Sequence, residues 1–198
     1  MKNFFKDGFD TIVKLLVTQL GMTMFGTMLV FTAYAVPNSI TRVEGKITKF
    51  GSIFLVVSLV AILLYLFIIY THIWEKGAKD RIKVDGGRME KQIFKGLFIS
   101  LVANSINIIL GLIMCCTYFF LDFNASPSFL AYQIYGSANG IARMIQGMYT
   151  GLILYISPTA DSVPPYMFLL ITLPAIIITT LGYYRGFNNQ RLFKPNKQ

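Results

Sequence analysis

Residues 53–70 read IFLVVSLVAILLYLFIIY, and 14 of these 18 are Leu, Ile, Val or Phe. At roughly −0.4 kcal/mol each, they favour a lipid interior over water by about 6 kcal/mol. A helix that is apolar on every side has no face to give to water. The full run, Phe50 to Ile73, therefore predicts a membrane-crossing helix, for which about 20 residues at roughly 1.5 Å rise suffice. Further apolar runs cover about 15–36, 96–121 and 166–184. Only 14% of the chain is charged, against roughly 25% in an average soluble domain, which is too little polar surface to coat a soluble globule. The expected fold class is all-α. We expect a polytopic integral membrane helical bundle, one domain over 1–198, with four clear transmembrane helices. A further helical segment at about 129–156 is re-entrant, interfacial or a fifth span.

Eleven of the 27 charged residues lie in residues 74–96, WEKGAKDRIKVDGGRMEKQIFKG. Seven of the eleven are basic: Lys76, Lys79, Arg81, Lys83, Arg88, Lys91 and Lys95. Residues 122–165 hold a single basic residue, Arg143, whereas the tail 185–198 holds Arg185, Arg191, Lys194 and Lys197 and no acid. Basic loops stay on the cytoplasmic side of a membrane. The basic loop 74–95 and the tail are thus expected in the cytoplasm, the 122–165 region outside and the N-terminus inside, in a multi-pass cell-membrane protein. The 37–49 connection, PNSITRVEGKITK, is then external despite Arg42, Lys46 and Lys49. Within the basic stretch, Asp85-Gly86 between short alternating segments offers an alternative, a small hairpin that would dock a cytoplasmic partner or anionic headgroups.

The leader MKNFFKDGFDTIVKLL places Phe4, Phe5, Phe9, Ile12, Val13 and Leu16 at helical spacing and predicts an amphipathic lead-in to the first span. Ala33 and Ala35 near the end of that span give a small-x-small pattern, so cleavage after Ala35 is an alternative to a retained helix. Pro174 within the last run predicts a kink.

Two polar stripes supply the candidate site residues. Gly96, Ser100, Asn104, Asn107, Gly111 and Cys115 recur at steps of three and four, which puts them on one face of one helix. Gly136, Gly140, Arg143, Gly147 and Gly151 form a second stripe, with two GxxxG pairs around an arginine. Small residues let helices approach and amides bond across them, so Gly111, Gly136, Gly140, Gly147 and Gly151 are the candidate packing positions. Asn104, Asn107, Arg143 and Gln146 are the candidate polar seam or pocket. An ionisable residue at membrane depth is a functional candidate by default. Arg143 has Asn104, Asn107 and Gln146 as natural uncharged partners there, and Asp122 and Asp161 as counter-charges at the outer surface. The expected break in 129–156 falls near GSANG, residues 136–140, because irregular backbone at membrane depth survives only under cover of protein or a water-filled cavity.

No catalytic, cofactor or metal motif is expected. His72 has no ligand neighbours at metal-binding spacing, and Cys115-Cys116 lies in an apolar run where a thiol acts as a small hydrophobe. No phosphate loop or nucleophile elbow is present. Net charge is +9, but the basic residues flank apolar runs instead of forming a nucleic-acid footprint.

The pattern WEKGAKD after a span, with LGYYRGF closing the last one, resembles uncharacterised polytopic membrane proteins of Gram-positive bacteria. The resemblance implies a bacterial plasma membrane and no activity. Two functions are therefore weighed. One is a non-enzymatic membrane subunit that packs through its Gly/Asn stripes and presents the basic loop to another membrane or cytoplasmic protein, or to a second copy. The other is a small transporter or substrate-binding component for a small, anionic solute. The lipid bilayer is a partner in both.

Overall fold

The computed structural model describes residues 2–43, 46–92, 94–123, 129–157 and 163–190. Asp161, residues 124–128 of the DFNASPS segment, and the tail with Arg191, Lys194 and Lys197 lie outside the described residues, as do the side chains of Asp122, Arg42, Lys46 and Lys49. Among the described residues the regular structure is helical apart from one short hairpin. In order it runs α1 (Lys2–Tyr34), β1 (Ile40–Val43), β2 (Lys46–Phe50), α2 (Ser52–Asp85), α3 (Lys95–Ala103), α4 (Ser105–Phe123) and α5 (Phe129–Ile145). A 3₁₀ turn (Gly147–Tyr149) follows, then α6 (Thr150–Ile156), α7 (Met167–Leu170) and α8 (Leu173–Phe187).

Among the described residues, three helical segments are long and apolar enough to cross a membrane: Gly8–Tyr34, Ser52–Asp85 and Met167–Phe187. They are compatible with a membrane location. The expectation of four clear transmembrane helices is corrected here. The third apolar run is a pair, α3 and α4, bent by 59° and reaching a fourth span only if both halves count as one. Asn104 is the physical reason. Its backbone N–H bonds the Ser100 carbonyl at 2.9 Å, and its side-chain Nδ2 donates to the same carbonyl at 3.0 Å. Such local side-chain bonding competes with helix continuation. The stripe from Gly96 to Cys115 is therefore split at its third member instead of lying on one straight helix.

Other boundaries also differ from the sequence reading. The amphipathic leader and the first span are one helix, α1. The 37–49 connection contains the β1–β2 hairpin, with Ile40 opposite Phe50 and Val43 opposite Lys46 and a register shift between Thr41 and Arg42. Residues 81–89 form no hairpin: α2 stays helical to Asp85 and closes in a Schellman turn, with Arg88 N–H on Lys83 O at 2.8 Å and Gly87 N–H on Val84 O at 3.0 Å. Gly87 sits at φ +68°, the left-handed position that this cap requires. The same device ends α8, where Asn189 at φ 55° takes the glycine's place. Pro174 lies in the first turn of α8, where its missing N–H costs nothing; the interruption precedes it, at residues 171–172.

The chain contributes to two compact units. The first comprises Met1–Val17, Leu66–Asn104 and Pro174–Gln198. Its helices approach through glycines: a Cβ on Gly77 would run into the Tyr183 carbonyl, one on Gly186 into the Trp74 backbone, and one on Gly182 would come within 2.5 Å of Ile73. The second comprises Thr18–Tyr65 and Ser105–Leu173. There Val30, Ala33, Phe50 and Phe54 form a buried cluster, with Tyr34, Phe50 and Phe54 in edge-to-face contact at 4.9 to 6.0 Å between centroids.

These contacts predict opposite outcomes for two glycine-to-alanine changes. Gly186→Ala should lower unfolding free energy in mild detergent by about 2 kcal/mol or more, because backbone must move aside. Gly140→Ala, which meets nothing within 4 Å, should raise it by roughly 0.5–1 kcal/mol through helix propensity alone. Denaturant titration of the two variants reads both signs.

Candidate functional site

Among the described residues each unit holds a cluster of buried polar groups. In the first, Asp80 lies on the buried face of α2 in step with Ile73 and Gly77, and none of its surface reaches solvent. Lys95, the first residue of α3, is 2% exposed and sets its Nζ 2.8 Å from Asp80 Oδ2. The Tyr183 hydroxyl on α8 donates to the same oxygen at 3.1 Å, and Lys76 Nζ stands 3.4 Å from Oδ1. One carboxylate thus gathers groups from three helices. Gly96 makes room for this: a Cβ there would sit 2.5 Å from Tyr183 Cβ. Trp74 Nε1 donates to Gln190 O at 2.8 Å. Arg81 Nη1 reaches the Phe187 carbonyl at 3.5 Å, a cation at the negative end of α8.

In the second unit the 129–156 region is interrupted at Gln146–Tyr149, not at 136–140; GSANG is continuous helix within α5. The reason is where the backbone finds partners. Tyr149 N–H turns to Gln146 O at 2.9 Å, leaving Ile145 O without its helical donor, and Thr23 Oγ1 of α1 donates to it at 2.6 Å. Ser58 Oγ of α2 donates to Met148 O at 2.6 Å. The glycines admit these neighbours: a Cβ on Gly147 would meet Thr27 Cγ2 at 2.5 Å, one on Gly151 the Phe54 carbonyl, and one on Gly26 the Met148 backbone. Gln146 Nε2 lies 3.4 Å from Phe168 O, a carbonyl also without its helical donor because Thr172 N–H bonds Leu169 O instead.

Arg143 finds partners on its own helix and at an aromatic ring; Asp161 and the side chain of Asp122, its expected counter-charges, lie outside the described residues. Its Nε donates to Asn139 Oδ1, one turn back, at 2.9 Å, and its guanidinium lies 6.0 Å from the Phe168 ring centroid. Arg143 Nη2, Gln146 Oε1 and Tyr149 Oη are buried with no hydrogen-bond partner among the described residues. Asn107 is buried on α4 and Asn104 sits at the α3–α4 break. Gly147, Gly151 and Gly111 are in tight contact, Gly111 against Leu169, while Gly136 and Gly140 stand open. Among the described residues no three His, Cys, Asp or Glu side chains gather to hold a metal ion.

Sequence reasoning missed Asp80, Lys95, Tyr183, Thr23, Ser58 and Tyr149. One signal was readable: Gly182 and Gly186 repeat the GxxxG spacing in LGYYRGF, which marks a close helix approach. Compared with protein-family models, curated proteins and solved structures, the chain matches none of them.

The break should depend on its two hydroxyl donors. Thr23→Val and Ser58→Ala each leave a buried carbonyl unsatisfied, expected to cost about 1–3 kcal/mol of unfolding free energy. Thr32→Val, whose exposed hydroxyl bonds Leu29 O within its own helix, should change it by less than about 0.5 kcal/mol. Equal effects at all three positions would contradict the assignment.

Proposed function

We propose that the chain is a non-enzymatic integral membrane subunit, with both termini and the basic 74–95 segment in the cytoplasm, that offers the charged end of α2 to a partner protein. The four crossings are α1, α2, the bent α3–α4 pair and α7–α8. Residues 129–156 enter from outside and return, their interruption covered by Thr23 and Ser58.

The observation that carries this reading is the outer face of the α2 extension. At 34 residues, α2 is about 50 Å long, roughly 20 Å more than a hydrocarbon core takes. The extension buries Gly77 and Asp80 and exposes Glu75, Lys79 and Ile82 along the opposite side. Ile82 is 73% exposed, an isoleucine displayed among charges beyond the apolar run. A helix already fixed by Asp80 and its partners loses little entropy on docking, which favours affinity.

A second reading, a small transporter or solute-binding component, is favoured by one specific observation: the buried, unpartnered Arg143 Nη2, Gln146 Oε1 and Tyr149 Oη at the interruption. Together they suit a small anion or polar solute.

Affinity purification of the tagged chain from its native membrane, with mass spectrometry of what accompanies it, separates the two. Under the subunit reading a stoichiometric protein co-purifies. Ile82→Asp should then reduce its recovery about tenfold, the scale for losing one buried apolar anchor, while Arg143→Gln leaves it unchanged. Under the transporter reading the chain carries a reproducible small molecule, and Arg143→Gln removes it.

A further inference from the structure

The first unit contains a cavity of about 330 Å³ lined by Lys91, Gln92, Tyr183, Tyr184, Phe187 and Asn188. That volume falls at the lower end of small-molecule sites, roughly 300–1,000 Å³. Among the described residues its one charged lining residue is Lys91, whose Nζ stands 5.8 Å from the Phe187 ring centroid. No acid stands among the described lining residues to compete for that ammonium, and Asp80, which accepts from the Tyr183 hydroxyl, is paired with Lys95 and Lys76. Two amides, Gln92 and Asn188, complete the polar part, and three aromatic rings form the rest.

The outside of α8 says where an occupant comes from. Ile177, Leu181 and Tyr184 are 54%, 46% and 55% exposed at steps of four and three, a single apolar stripe. Its last member is itself a lining residue of the cavity. Just past it the chain changes from apolar to polar, with Arg185 and Asn188 on α8's end and the indole of Trp74 bonded at Gln190. That combination of aromatics and cations belongs to the headgroup level of a bilayer. We propose that the cavity binds the phosphodiester headgroup of an anionic phospholipid, with Lys91 facing the phosphate, the two amides supplying donors, and the acyl chains lying along Ile177 and Leu181. The assignment goes beyond partner docking, which uses the opposite side of the α2 extension.

Native mass spectrometry of the full-length protein in mild detergent, offered equimolar phosphatidylglycerol and phosphatidylcholine, tests this. The expected result is one retained phosphatidylglycerol, preferred about fivefold, the size of one Lys at an anionic surface. Lys91→Gln should abolish the preference, and Lys79→Gln, on the exposed face of α2, should leave it intact. Equal loss in both variants would assign the effect to diffuse positive charge and overturn the site. Displacement of the lipid by millimolar glycerol 3-phosphate, at the concentration where the soluble anion itself is retained, would make the ligand a free phosphate and overturn the lipid assignment.

Discussion

Taking a carboxylate and an ammonium out of water costs several kcal/mol per ion, yet Asp80 and Lys95 meet at 2.8 Å with almost no exposed surface. The pair is tolerable because Asp80 Oδ2 also accepts from Tyr183 and Oδ1 faces Lys76. Much of the first unit follows from that arrangement. It ties the charged end of α2 to the start of α3 and to the last turns of α8, so a segment whose composition suggests a solvated loop is a rigid helix instead. The glycines at 77, 96, 182 and 186 let the helices of this unit approach where an added Cβ would collide.

The second unit answers the same constraint with hydroxyls instead of charges. An interruption inside a packed interior frees backbone carbonyls, and each buried one needs a donor. Thr23 and Ser58 supply donors from two different helices. The close approach of Gly26, Gly147 and Gly151 is what brings those hydroxyls within 2.6 Å. Among the described residues, Arg143 Nη2, Gln146 Oε1 and Tyr149 Oη there are buried without a hydrogen-bond partner.

Much of this architecture was legible in the sequence because apolar runs and their lengths report directly on burial and lipid exposure. Residues 52–73 of the expected span are helix, as their composition requires, although Phe50 closes β2 instead, and Gly147 and Gly151 were readable from spacing. What spacing does not carry is the identity of a partner in space. Asp80 and Lys95 are separated by a glycine turn and look like two of eleven scattered charges. Asn104 sits at the right step for a continuous stripe, and only its side-chain bond to Ser100 turns that stripe at the break. The GSANG segment has the composition of a break, but continuous packing of Ala138 and Ala142 keeps it helical, and the interruption moves to where donors exist for its carbonyls. Gly136 and Gly140 show the converse: the same motif as Gly147 and Gly151 with no neighbour against it among the described residues.

The central claim is that a buried ion pair fixes the extension of α2, and a double-mutant cycle measures it most directly. Asp80→Asn, Lys95→Met and the double variant would be unfolded by denaturant in mild detergent. Each single change should cost about 3–5 kcal/mol by leaving an uncompensated buried group. The double should cost less than their sum by about 2 kcal/mol or more, since neither charge is then left alone. Single costs that add to within about 0.5 kcal/mol would mean that the two residues act independently, and would contradict the account.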